Sequence, residues 1–110
     1  MKRSPLRKKR KENFRAKAVE AFNKYIRKRD GDENGMGNCI SCGKWKLLQA
    51  GHFVAASVSL ALRFNESNVN GQCGACNCWE DKSIHGYAIA MRKKYGPNIL
   101  EELAEIRKQG

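Results

Sequence analysis

Two cysteine pairs carry the clearest chemical signal in the chain. Cys39-Ile-Ser-Cys42 and Cys73-Gly-Ala-Cys76 each set two thiols within one turn, and 30 residues separate the pairs. A CxxC turn offers two thiolates to one ion, and two such turns complete a tetrahedral zinc site. Redox chemistry is the competing reading. A thioredoxin-like motif needs a βαβ unit around it, and two such motifs would be odd in 110 residues. Structural zinc is therefore the expectation for Cys39, Cys42, Cys73 and Cys76, and it suits a small core, because metal binding adds to folding free energy. Cys78 falls outside the pattern and reads as an ordinary free thiol.

Polar residues cluster inside this framework: His52, Asn65, Asn68 and, directly after Cys76, Asn77. Any one of them alone is more often structural than catalytic, so the joint spacing matters. His52 precedes Asn68 by 16 residues, and Asn68 precedes Asn77 by nine. An imidazole, an amide to orient it and an oxygen ligand can thus gather around one ion. The chemistry this suits is phosphodiester hydrolysis. A neutral His takes a proton from water, while a divalent ion such as Mg²⁺ or Mn²⁺ stabilises the scissile phosphate and the leaving oxygen.

The charge is placed as tellingly as the thiols. Residues 1–29 hold 13 Lys/Arg against Glu12 and Glu20, so they carry the whole formal charge of +11. The other 81 residues hold nine basic and nine acidic side chains. Such a segment favours a polyanion. No Trp/Phe-rich apolar face would anchor it in lipid, so nucleic acid is preferred to a membrane surface. The plainer reading is a solvated tail that keeps the protein soluble. The expected DNA contacts are Lys8, Lys9, Arg10, Lys11, Arg15, Lys24, Arg27 and Lys28, with Arg63 from the domain. No apolar stretch approaches the roughly 18–20 residues of a membrane span, and no apolar leader core follows the basic N-terminus. Five cysteines without a leader fit a reducing cytoplasm.

The elements that must position these residues follow from periodicity. Met1–Lys11 has few apolar side chains and is expected to be a disordered basic arm. Phe14, Ala18, Phe22 and Tyr25 with Ile26 mark a helix over 12–29, broken by the turn formers at 30–35. Residues 45–54 read as short strands, 55–61 as a loop, and 62–64 as a second strand. A helix follows Cys76, with Trp79, Ile84, Tyr87, Met91 and Tyr95 on one stripe and Gly96-Pro97 as its stop. Asn98 and Glu101 cap a last helix over about 98–108, with Leu100, Leu103 and Ile106 as its buried face.

Taken together, these stretches resemble the HNH (ββα-metal, or His-Me finger) nucleases, and within them the NinG/Rap recombination proteins of lambdoid phages. The matching segments are Phe22–Asp30 (FNKYIRKRD), Cys39–Gly43 (CISCG), Ala50–Phe53 (AGHF), Leu62–Cys73 (LRFNESNVNGQC) and Cys76-Asn77. The layout is also similar to that of phage endonuclease VII, a Holliday-junction resolvase. The resemblance implies an α+β fold: a small zinc-stabilised ββα-metal core at about 37–95, with flanking N- and C-terminal helices, in a single domain over 12–110. It implies His52 as general base, Asn68 as the residue holding its ring, and Asn77 as a ligand of the catalytic Mg²⁺ or Mn²⁺. Asn70 competes weakly for the Asn68 role, and Asn65 more weakly still. The implied activity is endonucleolytic cleavage of branched DNA, Holliday junctions or D-loops, in the host cytoplasm. A resolvase nicks two strands symmetrically, so a homodimer is the implied assembly. The Phe14–Ile26 stripe is its candidate face, unless that stripe packs on the domain's own core.

The chain departs from the family at one place. Most HNH nucleases carry Asp, Glu or His just before the base, as a second metal ligand, and here that position is Gly51. No acid occurs between Glu33 and Glu66 to replace it. Asp81, one helical turn after Asn77, is the candidate substitute, with Glu80 and His85 as further options and a plain solvated charge as the other reading of Asp81. Gly51 also leaves open that His52 itself binds the metal. The rival function is a zinc-stabilised DNA-binding module without catalysis.

Overall fold

The computed structural model describes residues 5–78 and 80–109, with the backbone alone at 5–7 and 80–82. Helix α1 runs from Pro5 to Asp30. Its 26 residues have no glycine, and their one proline stands at the first position, where proline is tolerated; Lys, Arg, Glu and Ala make up most of the rest. The helix thus begins seven residues before the expected start at Glu12, and residues 5–11 are helical rather than a disordered arm. Nothing in 5–11 breaks a helix, and Lys and Arg are good helix formers even without an apolar stripe. Met1–Ser4 lie outside the described residues. At 1.5 Å per residue α1 is about 39 Å long, and from Lys8 to Ala18 every side chain is exposed. Only its final turns are anchored. Ile26 is fully buried, and Phe22 meets Phe64 edge-on with ring centroids 5.4 Å apart.

Asp30 ends α1, and a tight turn follows in which Asp32 Oδ1 accepts from the N–H groups of Asn34 and Met36. Gly35, at φ +79°, completes it in a conformation that suits glycine. Three antiparallel strands come next in sheet order: β1 (Met36–Asn38), β2 (Trp45–His52) and β3 (Val69–Cys73). Met36 pairs with Leu47, Leu48 with Cys73, and His52 with Val69. β2 is the strand legible in the sequence, and it ends at His52 rather than at Val54.

The expected second strand at 62–64 is instead a helical turn, α2 (Leu60–Arg63). Ser59 caps it, its Oγ accepting from Leu62 N at 3.3 Å, and Leu62 is fully buried. Over so few residues strand and helix periods look alike. The real partner strand, β3, has no alternation to read, since Val69, Asn70, Gly71, Gln72 and Cys73 are all buried.

The sheet has a helix against part of each face. Against α1, Leu48 Cδ1 fills the space that a side chain at Gly37 or Gly71 would need, 2.7 Å from the position a Cβ would take at either. On the other face α3 (Gly74–Cys78) packs beside Gln49. Two further helices, α4 (Glu80–Tyr95) and α5 (Ile99–Gln109), build the main core with α2. Leu62, Tyr87, Met91, Ile99 and Leu103 form its buried centre. Of the expected stripes, Tyr87, Met91 and Leu103 are buried, whereas Leu100 and Ile106 are half-buried. Trp79 lies outside the described residues. Gly96, at φ +105°, ends α4 as its place in the sequence requires.

Candidate functional site

Local backbone chemistry gathers the four thiols. Cys39 follows β1, and the turn behind it closes through Gly43 N donating to Cys39 O at 2.8 Å and Cys39 N to Lys44 O at 2.9 Å. Gly43 has φ +76°, which allows the tight reversal that brings Cys42 back. Cys73 is the last residue of β3, and Cys76 sits in α3 immediately beyond. The sulfurs of Cys39, Cys42, Cys73 and Cys76 all lie within 4.8 Å of one another, and Cys42 Sγ is 4.0 Å from Cys73 Sγ. Tetrahedral zinc with Zn–S bonds of about 2.3 Å needs sulfurs about 3.8 Å apart, so the donor set fits.

The cluster's electrostatics agree. Burial opposes ionising Cys39, but backbone N–H groups of Cys42, Cys73 and Ser41 bring its thiol down to about 7. Burial and the three neighbouring sulfurs push the Cys76 thiol up. Four thiols this close resist ionising together unless a dication shares their charge.

His52 ends β2, and its Nε2 lies 2.9 Å from the carbonyl oxygen of Arg63. A carbonyl only accepts, so Nε2 donates, and in the neutral ring Nδ1 keeps its lone pair. The holder of the ring is thus the end of α2, not Asn68. Asn68 closes the loop after β2: its Oδ1 accepts from Val54 N at 2.8 Å, and its Nδ2 donates to Val54 O and Leu62 O at 3.0 Å each. Arg63 braces the same loop, donating to Ala56 O at 3.2 Å. Among the described residues, neither Asn65, Asn70 nor Asn77 hydrogen-bonds His52.

Asn77 is the next-to-last residue of α3, and its Nδ2 donates to Gln49 Oε1 at 2.9 Å, which fixes the amide's direction. Gln49 and Gly51 share a face of β2, by the two-residue period of a strand. The place where residue 51 would carry a side chain is taken. A Cβ there would collide with Oε1 of Gln72 and come within 2.8 Å of its Cβ. Gln72 is held in turn by Nε2 donating to Ser41 Oγ at 2.8 Å. Glycine at 51 is therefore a packing requirement in this chain. The Asp81 side chain, like that of Glu80, lies outside the described residues.

A polar network that sequence reasoning missed joins α1 to this sheet. Arg29 donates to the Asp30 carboxylate, to Glu66 O and Val69 O at 2.8 and 2.9 Å, and to Asn70 Oδ1 at 3.1 Å. Asp30 Oδ2 accepts from Gly71 N at 2.7 Å. Burial alone would raise the Asp30 carboxyl, but Arg29, Gly71 N–H and Lys94 together hold it below the usual carboxylate range. Fully buried Asn70 also takes Tyr95 OH at 2.6 Å, and Tyr87 OH reaches Gly51 O at 2.6 Å. The signal was present in the segment Phe22–Asp30, read above for charge, helix periodicity and family likeness but not for a polar contact with the sheet. Lys8, Lys9, Arg10, Lys11, Arg15, Lys24 and Lys28 are exposed along α1, with Arg27 half-exposed.

A hairpin whose two thiols meet two more at a strand–helix junction, with a basic helix on the opposite sheet face, defines a small α+β domain with a cysteine cluster able to bind a metal. The chain belongs to the family described as "Bacteriophage Lambda NinG protein", whose family model matches residues 1–109. It is 34% identical over 88 residues to protein ninG of Escherichia phage lambda, covering 78% of this chain and 41% of that one. Protein ninG of Salmonella phage P22 is 32% identical over 94 residues, 84% of this chain and 44% of its own. The chain thus spans less than half the length of these curated relatives. No solved structure matches it. No helix among the described residues is long and apolar enough to cross a membrane.

Proposed function

We propose that this domain is a metal-dependent endonuclease of the HNH type, cutting phosphodiester bonds in branched recombination intermediates such as Holliday junctions. The observation that carries the reading is His52: a strand-end imidazole with Nε2 committed to Arg63 O and Nδ1 left as a base. That atom would take the proton from the attacking water. Asn77, oriented by one amide hydrogen donated to Gln49, offers Oδ1 as a hard oxygen donor. A Mg²⁺ or Mn²⁺ ion held there would neutralise charge at the scissile phosphate. One neutral oxygen is a sparse ligand set for such an ion, which ordinarily shares its shell with carboxylates and substrate phosphates. DNA phosphates must then complete it, with Asp81 as the candidate carboxylate. The exposed lysines and arginines of α1 would hold the DNA backbone, and symmetrical nicking would call for a homodimer in the cytoplasm.

The second reading, a zinc-stapled DNA-binding module without catalysis, is favoured by Gly51 and the Gln72 side chain that fills its place. A four-way junction and a linear duplex incubated with the protein and Mg²⁺ or Mn²⁺ separate the two. His52→Ala should slow junction cleavage by about 10²–10⁴-fold, with zinc content and junction binding kept. Cleavage at the wild-type rate by the alanine variant removes His52 from the mechanism, and no cleavage by the wild type leaves the binding module.

A further inference from the structure

The β1–β2 hairpin carries an aromatic side chain that the reaction above does not use. Trp45 is 58% exposed and Leu47 63% exposed, and the two share the face of β2 that continues through Gln49 to Asn77. Gln49, itself exposed, is tied to α3 by Asn77, whereas Trp45 and Leu47 have no such neighbour among the described hydrogen bonds. A large apolar pair left in water loses the stabilisation that burial would give, so its exposure asks for an occupant. The hairpin that presents it is tied into the sheet at both ends of its turn. Trp45 pairs with Asn38 in the sheet, and the turn just before it is closed by Cys39 N–H on Lys44 O at 2.9 Å, beside the thiol cluster. Charge selects the partner. Lys44 and Lys46, both exposed, are the sequence neighbours of Trp45, and Lys46 leaves β2 on the opposite face. No acidic residue occurs between Glu33 and Glu66.

We propose that Trp45 is a stacking platform for an unpaired base of branched DNA, with the flanking phosphates drawn to Lys44 and Lys46. Every base offers a π face, so an exposed indole on a strand with basic neighbours in sequence takes an unstacked base with little dependence on sequence. Paired duplex offers no such face except at its ends. The platform stands four residues from Gln49, about 13 Å along the strand, so a base seated there places neighbouring phosphates beside Asn77. A preference for open branches over duplex would follow. The inference rests on DNA as the partner of the proposed function, and not on cleavage.

The test uses zinc-loaded protein labelled with 5-fluorotryptophan, in which the ¹⁹F resonance absent from Trp45→Phe identifies residue 45. Saturating four-way junction or single-stranded oligonucleotide should shift and broaden that resonance, and a hairpin-closed duplex should leave it in place. In binding titrations Trp45→Ala should weaken junction affinity by about ten-fold, the worth of one stacked base, and Trp45→Phe should restore most of it. Duplex affinity should be equal for all three. An unmoved resonance at saturating junction overturns the proposal even if the alanine variant folds poorly. Equal junction affinities overturn it too, as does a Trp45-dependent dimer whose DNA binding is indifferent to the residue. Trp45 stacking without cleavage would remove the nuclease reading and leave this one standing, and cleavage with Trp45 untouched would do the reverse.

Discussion

Asn68 shows how one buried amide sets the geometry around a candidate catalytic residue without touching it. Its three hydrogen bonds tie Val54 at the start of the loop to Leu62 in α2. The carbonyl next after Leu62, that of Arg63, is the one that receives His52 Nε2. Asn68→Ala would leave Val54 N and Val54 O without partners, while Leu62 O keeps the N–H of Asn65 at 3.3 Å. We expect a loss of about 2–4 kcal/mol of stability, since each such orphan costs about 1–3 kcal/mol and the loop relaxes in part. Urea denaturation of the zinc-loaded protein measures it. A change below about 0.5 kcal/mol would mean that the loop closes without Asn68.

Helix α1 has two halves with different tasks, and each makes a prediction. Its exposed first half is a row of cations. Lys and Arg that neutralise phosphates release counterions, giving a log–log slope of affinity on salt of about −0.9 per contact on duplex. Deleting residues 1–11 removes seven basic side chains and no cysteine. The slope should shrink by about 3–5 units, because not all seven reach phosphate at once. Equal slopes for the two proteins across a salt series would make the segment a solubility tail.

The anchored half depends on Asp30, whose ionised form is the one the fold favours. A carboxyl held below its ordinary value stabilises the protein at pH above about 4, and that share is lost as pH falls through the lowered value. Asp30→Asn should therefore cost about 1–3 kcal/mol near neutrality. The gap between the two proteins' urea midpoints should narrow as pH drops below about 4. A gap that persists unchanged into acid would show that the charge of Asp30 contributes nothing.

At the scale of the whole molecule, the main core is small and lies among α2, α4 and α5, so β1, β2 and β3 meet α3 chiefly through polar contacts and the thiol cluster. Zinc at that cluster would join the first hairpin to the strand–helix junction and add its binding energy to folding. One zinc per chain is expected by elemental analysis of folded, reduced protein. Cys73→Ser should lose the metal and most of the cooperative thermal transition. Folded wild type without zinc would refute the assignment.

Local spacing alone determined the cysteine pairs, the strand character of 45–52 from its apolar residues, α4 with its stop at Gly96, and the basic helix up to Asp30. Each CxxC turn brings its own two thiols together, and the pairing of β2 with β3 then sets Cys73 and Cys76 beside Cys39 and Cys42. Tertiary structure decided the rest. Val69–Cys73 is a strand only because Leu48 lies over Gly71, while α4 and α1 receive Asn70, so its hydrogen-bonding partners, not its side-chain pattern, hold it extended. Leu60–Arg63 is a helical turn because Ser59 caps it and the core takes Leu62. The roles of the asparagines were likewise invisible in one dimension. Asn68, Asn70 and Asn77 are alike in the chain, and only their partners separate a loop clasp, a buried junction with α1 and α4, and an amide aimed by Gln49. A side-chain amide both donates and accepts, so its neighbours in space, and not its place in the sequence, choose what it does.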